Sequence, residues 1–268
     1  MANTTRNLQV CVDRIVPDEL ISDRGVSHRR LLTAALRDLK KQRPREVFAD
    51  LDPNQPLSPS RMALINAKKW QTGSVLKCRF LEGTKTQQAK AQAMAEKWEQ
   101  YAKIDIQFVT TTDEQVRIAF TPGQGSWSAI GTDCLNAAYF PKHEPTMNFG
   151  WLTDDTNAGE WERVVVHEFG HALGCIHEHQ SPNEKLDWNV QAVYDYFSGP
   201  PNYWSKADID HNILQKYSAQ GLTATPFDIH SIMLYQFPKE LFNSGPGTPN
   251  NQHLSKLDES MIAQMYPK

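Results

Sequence analysis

The chain has 268 residues, 40% hydrophobic and 22% charged, the balance of a globular protein with room for a sizeable core. A net charge of −3 and a pI near 6.3 give no ground for expecting a nucleic acid or an anionic membrane as partner. No 18-residue apolar run exists to span a bilayer, and residues 1–10 lack the apolar stretch of a signal peptide.

Residues 1–60 differ in character from the rest of the chain. Ser27 to Lys41 reads as a short amphipathic helix, with Leu31, Ala35 and Leu39 on one stripe. Pro44, Pro53, Pro56 and Pro59 then punctuate a polar, irregular stretch. A second region, 61–268, divides into subdomains 61–174 and 175–268. In the first of these, Val75 to Leu81 alternates as a half-buried strand, with Leu76, Cys78 and Phe80 on one side. Thr84 to Ala102 reads as a helix with Ala91, Ala95, Trp98 and Ala102 on its apolar stripe. Strands are predicted over Ile104 to Val109 and Val116 to Phe120. A further helix begins after Asn157, which can cap it, with Glu160 three residues on. Beyond residue 177, short helices are predicted over Asn189 to Phe197 and over Ser205 to Leu214. The second of these opens on a Ser205…Asp208 capping box, and Gly199-Pro200-Pro201 separates the two. A last helix starts at Ser255 and ends at Pro267. Cys11, Cys78, Cys134 and Cys175 show no paired spacing.

The chemistry lies in Val164 to His177, which fits H-E-x-x-H-x-x-G-x-x-H in full. His167 and His171 are four residues apart, so on a helix they lie on one face and can chelate one Zn²⁺. Glu168 sits beside the first ligand, where a carboxylate can take a proton from an attacking water. Gly174 lets the chain leave the helix through a left-handed residue, and the turn returns His177 as third ligand. From the chain's own composition, a chance match is on the order of 10⁻⁵. Cys175 shares the helical spacing of His167 and His171, but Gly174 ends the helix before it, so it reads as a packing residue. His28, His143, His179, His211 and His253 have no ligand spacing, and Pro182 suggests a surface turn around His179.

The long motif is the metzincin signature, and Ser231-Ile232-Met233-Leu234-Tyr235 downstream matches the S-x-M-x-Y methionine turn of the astacin-like branch. Glu178 completes the family's H-E pair after the third histidine. Gly125-Ser126-Trp127-Ser128-Ala129-Ile130-Gly131 resembles the W-S-x-x-G run before the substrate-binding edge strand. From Trp70 to Tyr266 the chain therefore resembles astacin-family zinc endopeptidases. It departs from them at Cys175, at Gln180 to Glu184 and at Leu234.

The resemblance implies an α+β zincin/metzincin catalytic domain: a mixed twisted sheet, a backing helix and an active-site helix, then a mostly irregular and helical C-terminal subdomain. It implies Zn²⁺ as cofactor, a polypeptide as substrate, Met233 beneath the metal and Tyr235 as an oxyanion stabiliser. It places the substrate edge near Thr132–Phe140. Family members are mostly secreted. Asp228 and His230 are candidates to orient a ligand, or else turn caps. Residues 1–60 carry two readings of equal weight. One is a pro-segment that blocks zinc, through Cys11 as in matrixins or through Asp13 or Asp23 as in astacins; the other is an extension packed on the catalytic domain. Two other functions stand against a working endopeptidase: a zinc-binding protein without peptidase activity, and a latent enzyme held inactive by residues 1–60.

Overall fold

Where apolar and polar residues alternate, the chain forms strands close to the expected bounds. The computed structural model describes residues 11–16, 68–200, 202–217 and 226–268. The helix expected over Ser27 to Lys41, Asp23 and the side chain of Asp13 lie outside the described residues and side chains. Strands are β1 (Cys11–Arg14), β2 (Val75–Phe80), β3 (Asp105–Phe108), β4 (Val116–Ala119), β5 (Ser126–Ala129) and β6 (Met147–Phe149). They make one six-stranded sheet in the order β1-β5-β6-β4-β2-β3. Pairing is parallel except between β5 and β6.

Helix α1 (Lys85–Ala95) starts at a capping box, Thr84 Oγ1 accepting the Gln87 N–H and Gln87 Oε1 accepting the Thr84 N–H. It tightens into a 3₁₀ turn, Glu96–Gln100, where Trp98 is fully buried and its indole donates to the Val166 carbonyl at 2.9 Å. Helix α2 (Ala158–Ala172) follows β6 and is capped by Asn157, whose side chain accepts the Glu160 N–H at 3.0 Å. It packs on α1 and β5. Trp161, Val164, Val165, Val166 and Phe169 fall on its core side and are at most 1% exposed.

The second half is helical only in pieces. These are α3 (Val190–Ser198), α4 (Lys206–Ile209), which opens on the Ser205–Asp208 capping box and runs into a π turn at Asp210–Leu214, and α5 (Lys256–Met265). This is the α+β arrangement expected. Two apolar cores result. One fills the space between sheet, α1 and α2, and the other gathers Val193, Phe197, Ile213, Phe237 and Leu241 from the second half. No helix among the described residues is long and apolar enough to cross a membrane.

Candidate metal centre and substrate cleft

The functional groups sit at the seam between the two cores, and α2 delivers them. Its end is fixed by a Schellman turn: the Gly174 N–H donates to His171 O at 2.8 Å and the Cys175 N–H to Gly170 O at 2.9 Å, with Gly174 at φ +96°. The reversal brings His177 back over α2. The Nε2 atoms of His167 and of His177 each lie 3.1 Å from that of His171. On the opposite side of two rings, His167 Nδ1 donates to Ile232 O at 2.8 Å and His171 Nδ1 to Cys175 O at 2.9 Å. With those protons on Nδ1, the facing Nε2 atoms carry lone pairs, which cannot hydrogen-bond to one another. Lone pairs so close fit donors on one tetrahedral Zn²⁺, whose Zn–N distance of about 2.0–2.1 Å sets ligand nitrogens roughly 3.3 Å apart. Burial, then the neighbouring charges of His171 and His177, holds the His167 pKa well below the usual histidine range, which keeps it a neutral donor.

The floor of the centre is a second turn. Met233 is 1% exposed, and a Cβ on Gly170 would come within 2.4 Å of its Sδ. A glycine on α2 is what admits the methionine. Asp258 of α5 ties the turn down, accepting from Ser231 Oγ at 2.7 Å and from the Ile232 N–H at 2.8 Å. The peptide that orients His167 is therefore fixed from α5, a role that only the Ser255…Asp258 capping box hinted at. Glu178 joins the same network. Its N–H donates to Met233 O and its Oε1 accepts the Asp228 N–H, while burial pushes its carboxyl up to about 7.

Glu168 is fully buried, and one of its oxygens lies within 4.8 Å of both a His167 ring nitrogen and Cys11 Sγ. Cys11 comes from β1, which runs parallel along β5 with Cys11 opposite Ser126 and Arg14 opposite Ala129. Burial followed by the Glu168 charge pushes the pKa of its thiol up. The Tyr235 hydroxyl donates to the Cys11 carbonyl, and the Tyr235 ring lies 4.3 Å from that of His177 between centroids. Farther along the strand, the Val16 N–H donates to Asp133 Oδ2 at 2.9 Å, and Lys68 Nζ holds the same oxygen at 2.7 Å. Arg14 lays its guanidinium 3.5 Å above the Trp127 ring.

Two expectations change. Thr132–Phe140 is not a strand: among the described residues β1 ends the sheet, and β5, Ser126–Ala129, lies next to it. Gly131 turns left-handed at φ +51°, and Asn136 Oδ1 accepts the N–H groups of Ala138 and Tyr139, so residues 131–140 coil instead of extending. His179 is no surface residue: it is 1% exposed, bonded to Asn212 O at 3.0 Å, with its ring 5.2 Å from that of His177. The burial comes from the π turn of 210–214, which sequence periodicity does not reveal. Asp228 caps a turn through the His230 N–H and Ser255 Oγ, while His230 is exposed. Cys175 packs in the core as expected, and the four cysteines are free and buried.

Metal donors presented in this way, on the helix of a mixed-sheet α+β fold above a methionine turn, belong to the zinc metalloendopeptidases of metzincin type. Within that class the chain belongs to the astacin family, since residues 63–266 match the model of the peptidase family described as Astacin. Two structures of myroilysin are similar at 42% identity. One covers 76% of this chain and 98% of its own with a TM-score of 0.74; the other covers 75% and 87% with a TM-score of 0.60. High choriolytic enzyme 1, a hatching-enzyme zinc protease of the medaka fish Oryzias latipes, is 18% identical over 75% of this chain and 95% of its own. Its TM-score of 0.50 speaks for the fold alone. Comparison with curated proteins gives no match.

Proposed function

We propose that this astacin-family endopeptidase is folded in a latent form, with residues 1–60 as its inhibitory segment and 61–268 as the catalytic domain. In this reading His167, His171 and His177 hold the zinc, and Cys11 supplies a sulfur to the position that three protein ligands leave open. The observation that carries it is the double engagement of Cys11. Its thiol meets Glu168 beside the ligand cluster while its carbonyl takes the Tyr235 hydroxyl.

Zinc, when bound, supplies Lewis acidity for the scissile carbonyl and the attacking water. Glu168 removes a proton from that water and returns it to the leaving amine. Tyr235 donates its hydroxyl to the oxygen on which negative charge develops. Once β1 leaves, β5 offers its free N–H and C=O groups to an extended polypeptide, which adds as a strand with little demand on side chains. Astacin-family members are generally secreted, and residence outside the cell is proposed for this chain on that ground.

The test uses the full-length, zinc-loaded chain and its Cys11→Ser variant on casein. Hydrolysis should rise tenfold or more in the variant and vanish when Glu168→Gln is added. In cobalt-substituted protein, the absorption of a thiolate bound to the metal should disappear with Cys11. Equal hydrolysis by both chains, with no thiolate band in either, would dismiss Cys11 as a ligand. Zinc at one per chain without hydrolysis in any form would leave a binding protein.

A further inference from the structure

We propose that Trp127, Tyr139 and Glu144 form a substrate subsite for a cationic side chain, which Arg14 fills in cis. This deepens the latent-peptidase reading, because it rests on β1 lying where substrate lies. Arg14 and Trp127 are diagonal neighbours across the β1–β5 pair, and the guanidinium covers the indole at 3.5 Å from its centroid. A ring face attracts a cation, most strongly on tryptophan. The Glu144 charge draws on the same guanidinium against the cost of its desolvation, while burial pushes the Tyr139 phenol up and keeps it neutral.

The cleft is built from the catalytic region and does not depend on Arg14 for its shape. Trp127 stacks on Phe140 with centroids 6.5 Å apart, and Tyr139 meets Phe140 edge-on at 4.9 Å. Arg117, 6% exposed, donates to Glu144 O at 2.6 Å and to Phe140 O at 3.2 Å, clamping the turn that carries both Tyr139 and Glu144. On β5 itself, Ser126 Oγ and Trp127 Nε1 are buried without a hydrogen-bond partner among the described residues. When β1 departs, an aromatic face with an acidic rim stays behind on the strand that receives substrate.

Arg14 is three residues from Cys11, roughly 10 Å along a strand. A substrate should therefore carry its arginine or lysine about three residues from the scissile bond, and mapping the cut shows on which side. A desolvated cation over tryptophan is worth roughly five- to thirty-fold in affinity.

The experiment uses the full-length chain with Cys11→Ser and Arg14→Ala, so that neither side chain competes. Casein cleavage sites read by mass spectrometry should be enriched in arginine or lysine at that separation. Independently of turnover, the same chain with Glu168→Gln should bind an arginine-containing peptide roughly tenfold more tightly than its norleucine counterpart by fluorescence anisotropy. Glu144→Lys should collapse that ratio; Glu144 is at the surface, so a folding failure is not the concern it would be at Trp127. Equal affinity for the two peptides overturns the subsite, whatever happens to casein. Arginine selectivity in binding without casein hydrolysis upholds it and overturns the peptidase reading instead.

Discussion

The two walls of the metal cleft are held in different ways. On one side, α2 and its Schellman turn bury every ligand-bearing residue, and both His167 and His171 are oriented by backbone carbonyls that belong to packed turns. On the other side, β1 is four residues long and, among the described residues, lies at the end of the sheet and pairs with β5 alone. It is fastened by the Tyr235 hydroxyl, the Lys68–Asp133 pair and a cation over Trp127. The first wall is made permanent by apolar burial, which a ligand cannot replace. The second depends on edge pairing and polar contacts, which an incoming peptide can reproduce one for one. A centre fixed before anything binds, under a cover that can be exchanged, is the physical basis of the proposed latency.

The sharpest way to break that contrast is on the permanent wall. His171→Ala removes the histidine whose Nε2 faces those of both His167 and His177, so zinc should fall from one per chain to near zero by elemental analysis, and hydrolysis with it. Glu168→Gln should keep the zinc and lower kcat by about 10³-fold in the Cys11→Ser background, within the range of a general base. Loss of zinc in Glu168→Gln would mean that the carboxylate is part of the ligand cage, and the distinction between holding and reacting would fail.

Next in size is Asp258→Ala. Asp258 accepts from Ser231, the Ile232 N–H and the N-terminus of its own helix. Its removal leaves buried donors unsatisfied and should cost about 2–3 kcal/mol, a fall in Tm of roughly 4–12 °C by calorimetry. Because Ile232 O orients His167, zinc affinity should fall as well. Stability lost with zinc affinity intact would show the methionine turn to be scaffold and nothing more.

Asp258 also marks where sequence reading stops. The clustering of His167, His171 and His177, the place of Glu168 beside it, the left-handed Gly174, the Asn157 cap and strands β2 to β4 were all legible, because each depends on local spacing or on a single residue's backbone preference. The tie from α5 to the methionine turn, the burial of His179 and the place of the substrate edge were not. Each arises from contacts between distant segments: Asp258 with Ser231, His179 with Asn212, and the coil of 131–140 with Lys68. Cys11 was legible as a candidate only, since a thiol in a sequence says nothing about which strand it will join.

Tyr235→Phe sits on both walls at once. In the Cys11→Ser background it should lower kcat about tenfold with little change in KM, since its contact grows as charge develops on the substrate. In the otherwise unaltered chain it should loosen β1, which hydrogen exchange at residues 126–129 can read as lost protection. A fall in kcat without loosening would assign the hydroxyl to the reaction and leave the strand to its other fastenings.

The smallest effect tests how closely the permanent wall is packed. Gly170→Ala places a methyl 2.4 Å from Met233 Sδ and 3.2 Å from Trp98 Cζ2, so one of the three groups must move. Alanine favours a helix over glycine by up to about 1 kcal/mol, whereas overpacking costs about 1–3 kcal/mol. The net destabilisation should therefore be roughly 1 kcal/mol, small enough for the chain to fold and bind zinc. In a Met233→Ala background the clash with the methionine is gone and the helix preference stands against the approach to Trp98 Cζ2 alone, so the same substitution should cost clearly less. Denaturant unfolding of the four chains in this cycle gives the coupling directly. An equal cost in both backgrounds would mean that the methionine moves aside freely, and that glycine at 170 serves something other than the close approach of helix and turn.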